Sequence, residues 1–211
     1  MSTGPPWRAG SAELSLHGQD RILCDPELGL FGVFDGVGEF SRSGEAAELA
    51  SRLLWEACHA LDGEPLEQLR SGCQHAHQEI MRLRLGATTV TACRVVGRRL
   101  HYVSVGDSRL YLVRAGRGTQ VTVDEGEGNW LDNAAGFPGS ELRQTGQLQL
   151  QPGDRLVLVT DGVTGDFTPD LITEQEIAEA VAGTDPRESA ERLIAIARKR
   201  DDRSAVVVLL S

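Results

Sequence analysis

The chain has 211 residues, 40% hydrophobic and 25% charged, with a formal net charge of −10. That length suits one domain with a core of its own. The lack of an apolar run of about 18 residues excludes a membrane-spanning helix, and the acidity argues against a nucleic-acid partner, whose phosphates select basic surfaces.

Residues 1–10, with Pro5-Pro6 and no apolar stretch of the secretory kind, are expected to form a flexible arm, and the protein is expected to be cytoplasmic. Ile22 to Cys24 and Gly29 to Phe34 predict a hairpin around Asp25-Pro26-Glu27. Apolar residues at helical spacing, among them Ala46, Leu49, Leu53 and Leu61, predict an amphipathic helix over 43–61 with Ser43 as its N-cap. Pro65 opens a second helix that runs to Leu85. Strands follow at Thr88 to Val96, Leu100 to Val105 and Leu110 to Arg114, where β-branched and aromatic residues gather. The polar, Gly-rich stretch 121–139 is expected to be a loop. Beyond it come strands at Gln147 to Leu150 and Arg155 to Thr160, helices over 169–181 and 186–199, and a closing apolar strand, Ala205 to Leu210. This order is not regular β-α alternation, so layered sheets covered by helices are expected.

The four cysteines, Cys24, Cys58, Cys73 and Cys93, form no C-x-x-C pair and are expected to be reduced, mostly buried thiols. Basic residues are nearly all arginine; Lys199 is the single lysine. The chemistry is sought in the aspartates. Asp35, Asp107 and Asp161 each end an apolar strand, and Asp201 comes just before the last one. Such positions are rigidly held at strand mouths. If several converge, their like charges require protonation or a cation, and all-oxygen donors suit Mg²⁺ or Mn²⁺ rather than zinc. Taken singly, Asp-Gly after a strand is also a common turn signal.

Five blocks then carry a resemblance. Gly29-Leu-Phe-Gly-Val-Phe-Asp-Gly-Val-Gly38, Gly86-Ala-Thr-Thr89, Val105-Gly-Asp-Ser-Arg109, Leu158-Val-Thr-Asp-Gly-Val163 and Asp201-Asp-Arg-Ser-Ala-Val206 resemble, in order, the motifs of the metal-dependent (type-2C, PPM) protein phosphatases in their compact bacterial form. The resemblance spans roughly residues 11 to 210. It implies an α+β fold, a four-layer α-β-β-α sandwich, with 11–211 as one phosphatase domain and 121–139 as a shortened flap. It implies hydrolysis of phosphoserine and phosphothreonine by a water bridging two divalent cations, Mn²⁺ or Mg²⁺. Asp35 would bridge the ions, the Gly36 carbonyl would hold the first, and Asp161 and Asp201 would hold the second. Asp20 would act through water, and Asp107 would serve a weaker third ion. Asp35, Asp161 and Asp201 are thus the expected catalytic set. The expected partner is a phosphorylated protein, the substrate of a serine/threonine kinase, with no nucleic acid or membrane involved, and a monomer is expected.

The chain departs from the family pattern at several points. Gln19 replaces an acid, Ser15 stands where many members have a phosphate-binding arginine, and Glu39 replaces a glycine. Arg21 and Arg42 are the candidates to replace that arginine. Gly165 stands where the family often has an aspartate for the third ion, with Asp166 one place later. Val37 stands where some members have a proton-donating histidine. Trp130 and Phe137 lie in the flap stretch, where they would touch substrate or pack. These departures leave a competing expectation: a catalytically weak, phosphatase-like domain that binds a partner or regulates one.

Overall fold

The computed structural model describes residues 5–38, 40–60, 63–128 and 130–211. Among them the elements run β1 (Trp7–Leu14), β2 (Arg21–Asp25), β3 (Leu30–Phe34), α1 (Ser43–Ala60), α2 (Pro65–Leu83), β4 (Val90–Val96), β5 (Arg99–Val105), β6 (Arg109–Arg114) and β7 (Arg117–Gln120). They continue with β8 (Gly126–Glu127), β9 (Trp130–Leu131), β10 (Gln144–Gln149), β11 (Arg155–Val159), α3 (Asp161–Thr164), α4 (Glu174–Ala180), α5 (Pro186–Ile196) and β12 (Arg203–Leu210).

Two five-stranded antiparallel sheets result, in the orders β1-β12-β11-β6-β7 and β10-β5-β4-β3-β2. The apolar runs follow from burial on both faces. In β11, Leu156 and Leu158 face the sandwich interior while Val157 and Val159 face the helices. In β12, Val206 and Val208 face inward while Ala205 and Val207 face outward. A strand covered on both sides has no polar face to show, hence its continuous apolar sequence. One cluster packs α1 and α2, through Leu54, Leu69 and Ile80, against β3 and β4. Another packs α4 and α5, through Ile177 and Leu193, against the other sheet. Between the sheets, Phe31, Val33, Leu110, Leu156 and Val206 are fully buried, each side chain being worth roughly 1.5–3 kcal/mol of transfer free energy. Helices, sheet, sheet, helices: the expected four-layer α+β sandwich is the observed one. No helix among the described residues is long and apolar enough to cross a membrane.

Several sequence expectations need correction. The arm expected over 1–10 is not loose from Trp7 onward: β1 pairs with β12 along its length, from Trp7↔Leu210 to Leu14↔Arg203. The Trp7 indole is buried and donates to the Pro26 carbonyl at 3.1 Å. The helix expected from Pro169 begins instead at Glu174, because Thr173 and Glu176 form a capping box. The last helix stops at Ile196, where Ala197 turns extended at ψ 139°, so Lys199 lies beyond it. Ser43 is a helical residue rather than a cap. The Leu61 end of the first helix and Glu39 fall outside the described residues.

Candidate metal centre

All the strand ends that carry the aspartates emerge at one edge of the sandwich. β3 and β5 run parallel to each other across β4, so Asp35 and Asp107 leave the same side. β11 runs antiparallel to β12, so Asp161, just after one, lies beside Asp201, just before the other. Asp20, ahead of β2, is on that side too, since β2 and β3 pair antiparallel.

Local backbone fixes each carboxylate. The Asp35 N–H donates to Thr89 Oγ1 at 2.9 Å, while its carbonyl accepts from the Thr89 N–H at 2.7 Å and from Thr88 Oγ1 at 2.9 Å. A Cβ on Gly36 would sit 2.6 Å from the Ser43 carbonyl. One on Gly162 would sit 1.8 Å from the Asp202 carbonyl oxygen. The Asp-Gly glycines are therefore required by close backbone approach. Asp161 opens the one-turn helix α3, closed by the Gly165 N–H donating to the Asp161 carbonyl at 2.7 Å.

Asp35, Gly36, Asp107, Asp161 and Asp201 line one cleft of about 460 Å³. Asp20 is not in its wall. It is buried behind Asp35, holding Thr160 Oγ1 at 2.8 Å. Two residues are added that the sequence did not assign. Asp166, one place late for the motif, still joins Asp107 and Asp161, each offering an oxygen within 4.8 Å of the others. The Gly165 φ of +70° turns the chain back after α3 and absorbs the offset. Lys199 also lines the cleft, its ammonium against Asp161, Asp166 (3.0 Å) and Asp201 (3.2 Å).

Arg21 and Arg42 are not in the cleft. The first holds Glu48 at 3.1 Å and the second grips Glu45 at 2.7 Å, so neither replaces the missing phosphate arginine. Among the described lining residues, Lys199 is the only basic one. Trp130 and Phe137 line the mouth. Phe137 packs edge-to-face on Phe40, and Trp130 is 73% exposed. Asp202, paired with Asp201 in sequence, has a different task. Its carboxylate accepts the backbone N–H groups of Leu16, His17, Gln19 and Asp20 at 2.5, 2.6, 2.7 and 3.4 Å, and clamps the loop that presents Asp20.

The electrostatics record the crowding. Burial, then the charges of Asp161 and Asp20, push the Asp35 carboxyl well above the usual range. Burial opposes ionisation of Asp161 as well, but a hydrogen bond from Asp35 and the Lys199 ammonium prevail and hold it low. The pair is best described as a protonated Asp35 donating to an ionised Asp161. Burial carries Asp20 up to about 7, against the hydrogen bond it accepts from Thr160 Oγ1. Burial and Asp161 carry Asp107 up to about 7. Asp20 Oδ1 and Asp107 Oδ1 are buried without a hydrogen-bond partner. Clustered carboxylates with orphaned oxygens and no sulfur or imidazole donor fit hard divalent cations such as Mg²⁺ or Mn²⁺.

A family model described as Stage II sporulation protein E (SpoIIE) matches residues 31–210. Probable protein phosphatase 2C 9 of Arabidopsis thaliana is 31% identical over 227 residues, covering 88% of this chain and 79% of that protein. The chain belongs to the protein phosphatase 2C family. Probable protein phosphatase 2C BIPP2C1 of Oryza sativa subsp. japonica is 32% identical over 84% of this chain but only 32% of its own length, so the chain spans about a third of that relative. Solved protein phosphatase 2C-like folds superpose closely. The PPM Ser-Thr phosphatase MsPP of Mycobacterium smegmatis, in complex with cacodylate, has a TM-score of 0.80 at 25% identity, covering 97% of this chain and 98% of that one. The catalytic domain of the serine threonine protein phosphatase PstP, in complex with 2 manganese ions, has a TM-score of 0.80 at 22% identity with the same coverage.

Proposed function

We propose that the chain is a metal-dependent phosphoprotein phosphatase acting on phosphoserine and phosphothreonine. The observation that carries this reading is the convergence of Asp35, Asp107, Asp161 and Asp201 in one cleft, with the Asp35 carboxyl raised well above the usual range by burial first and by its neighbours' charge second. Asp35 and the Gly36 carbonyl would hold one divalent cation. Asp35, Asp161 and Asp201 would hold a second. Asp20 would act through water, while Asp107 with Asp161 and Asp166 would offer a weaker third position. Bound cations would supply an acidified water and neutralise charge on the phosphoryl oxygens.

The chain's own residues do the rest. Thr88 and Thr89 lock the Asp35 backbone so that its carboxylate faces the cleft. Asp202 holds the loop behind Asp20. Trp130 and Phe137 at the mouth give a phosphorylated segment an apolar edge on which to lie. On this reading the partner is a protein phosphorylated by a serine/threonine kinase, and the chain is a signalling phosphatase of bacterial type. Residues 7–211 would form its single, monomeric domain. The free cysteines, three of them buried, support a reducing, cytoplasmic setting.

The test is hydrolysis of an aryl phosphate and of a phosphothreonine peptide in Mn²⁺, Mg²⁺ and chelator. Cation-dependent turnover that stops in chelator is expected. Equal rates in chelator would overturn the reading.

A further inference from the structure

Of the 21 basic Lys and Arg residues, only one is lysine, and it is the one in the cleft. Past the end of α5 the chain turns back, and the Lys199 carbonyl accepts from Arg203 Nε at 3.2 Å and Nη2 at 2.5 Å. That latch points the side chain inward, where it is 19% exposed. The flanking Arg198 faces away, paired with Glu176. Three N–H donors thus meet three carboxylates, those of Asp161, Asp166 and Asp201. An ammonium is a compact point charge, close to a metal ion in the way it sits among oxygens. A planar guanidinium presents its donors in a fixed fork and suits one carboxylate at a time. Lysine at 199 in a chain otherwise committed to arginine is accounted for by this difference.

We infer that Lys199 is a tethered monovalent cation that competes with a divalent ion for Asp161, Asp166 and Asp201, so that this half of the cleft loads metal weakly. The inference rests on the proposed metal reading. Two of these carboxylates belong to the set proposed for the second ion, and two to the third position, so a divalent ion arriving on this side must displace the ammonium. Its covalent tether gives it an effective concentration in the millimolar range, and a free ion has to outbid that. The same contact offsets carboxylate repulsion in the metal-free protein. Lys199 thereby holds the cleft together when no ion is present, and makes occupancy of this side a function of cation supply.

The test is Mn²⁺ binding, by calorimetry and by the resonance signal of free Mn²⁺, to the whole parent chain and to Lys199→Met, which keeps the stem and removes the charge. The weakest class of Mn²⁺ sites should tighten at least ~10-fold in Lys199→Met, the gain expected when a competitor of millimolar effective concentration is removed. The variant should also melt lower than the parent in chelator and gain more from Mn²⁺. A second measurement uses the parent alone: Mn²⁺ should speed amine acylation of Lys199, its one lysine, by freeing the side chain. Unchanged Mn²⁺ affinity in the variant, or Lys199 labelling indifferent to Mn²⁺, would overturn the inference while leaving the metal reading intact. A parent that binds no Mn²⁺ at millimolar concentration would overturn both.

Discussion

The buried Asp20 makes a quantitative prediction about the metal-free protein. Its carboxyl is moved from 3.8 to about 7, chiefly by burial. An acid whose folded value is raised binds its proton more tightly in the native state, so stability is full below the unfolded value of about 4. It falls as pH rises through the folded value near 7, and levels off above that. At about 1.4 kcal/mol for each pH unit, the loss across this window is about 4 kcal/mol. For a domain of this size that corresponds to roughly 10 °C in melting temperature. Asp107, also raised to about 7, acts in the same direction. The perturbation is Asp20→Asn, which keeps the shape and the acceptor for Thr160 while placing an amide where Asp20 Oδ1 has no partner. The assay is a series of thermal melts in chelator at pH 5, 6, 7 and 8. The parent should lose stability from pH 5 to about 7 and change little more by pH 8. The variant should lose distinctly less and exceed the parent at pH 8. Saturating Mn²⁺ should flatten the parent's curve, because a cation favours the ionised carboxylates. Parallel curves for parent and variant in chelator would refute the reasoning.

Other outcomes follow from the same geometry. Asp35→Ala, Asp161→Ala and Asp201→Ala should each lower turnover at least ~100-fold, measured as phosphate release at saturating Mn²⁺, with circular dichroism showing the fold retained. Asp202→Ala should act on stability: the loss of a carboxylate that accepts four backbone N–H groups should cost about 3 kcal/mol, or roughly 6–12 °C, with or without metal. A variant melting within a degree of the parent would show that the clamp is unimportant. Trp130→Ala should raise KM for a phosphothreonine peptide several-fold while leaving aryl phosphate kinetics near those of the parent, because the ring is a largely exposed part of the cleft lining and offers the metals no ligand.

Much of the fold was legible because period and burial agree. The β2–β3 hairpin, α1, α2 and the apolar β11 and β12 are each covered on known faces, and their patterns say so. β1 was not legible. Its sequence, WRAGSAEL, shows no strong alternation, and its place is set by pairing with β12 and by α5, which leaves no room for a side chain at Gly10: a Cβ there would meet the Arg187 backbone nitrogen at 2.4 Å. The start of α4 was legible in the Thr173-to-Glu176 spacing, but Pro169 drew the boundary too early. At the site, the strand-end aspartates declare themselves by their Asp-Gly and Gly-Asp contexts. Asp166 does not, because its return to the cluster depends on a one-turn helix followed by a left-handed glycine. Lys199 was visible as an oddity of composition only. Its contacts with Asp161 and Asp166 bridge distant stretches of chain, through a backbone turn that α5 and Arg203 set jointly. The resemblance singled out Asp201 as the ligand, and Asp201 does line the cleft, but the loop-clamping task of Asp202 had no sequence signal, because the backbone N–H groups it accepts lie 182 to 186 residues away.

The most direct test of the account is release of inorganic phosphate from a phosphothreonine peptide by the parent chain and by Asp35→Asn, each in Mn²⁺ and in chelator. The account predicts rapid release by the parent in Mn²⁺ alone, and release reduced at least ~100-fold in the other three arms. Release by Asp35→Asn at the parent's rate, or by the parent in chelator, would contradict it.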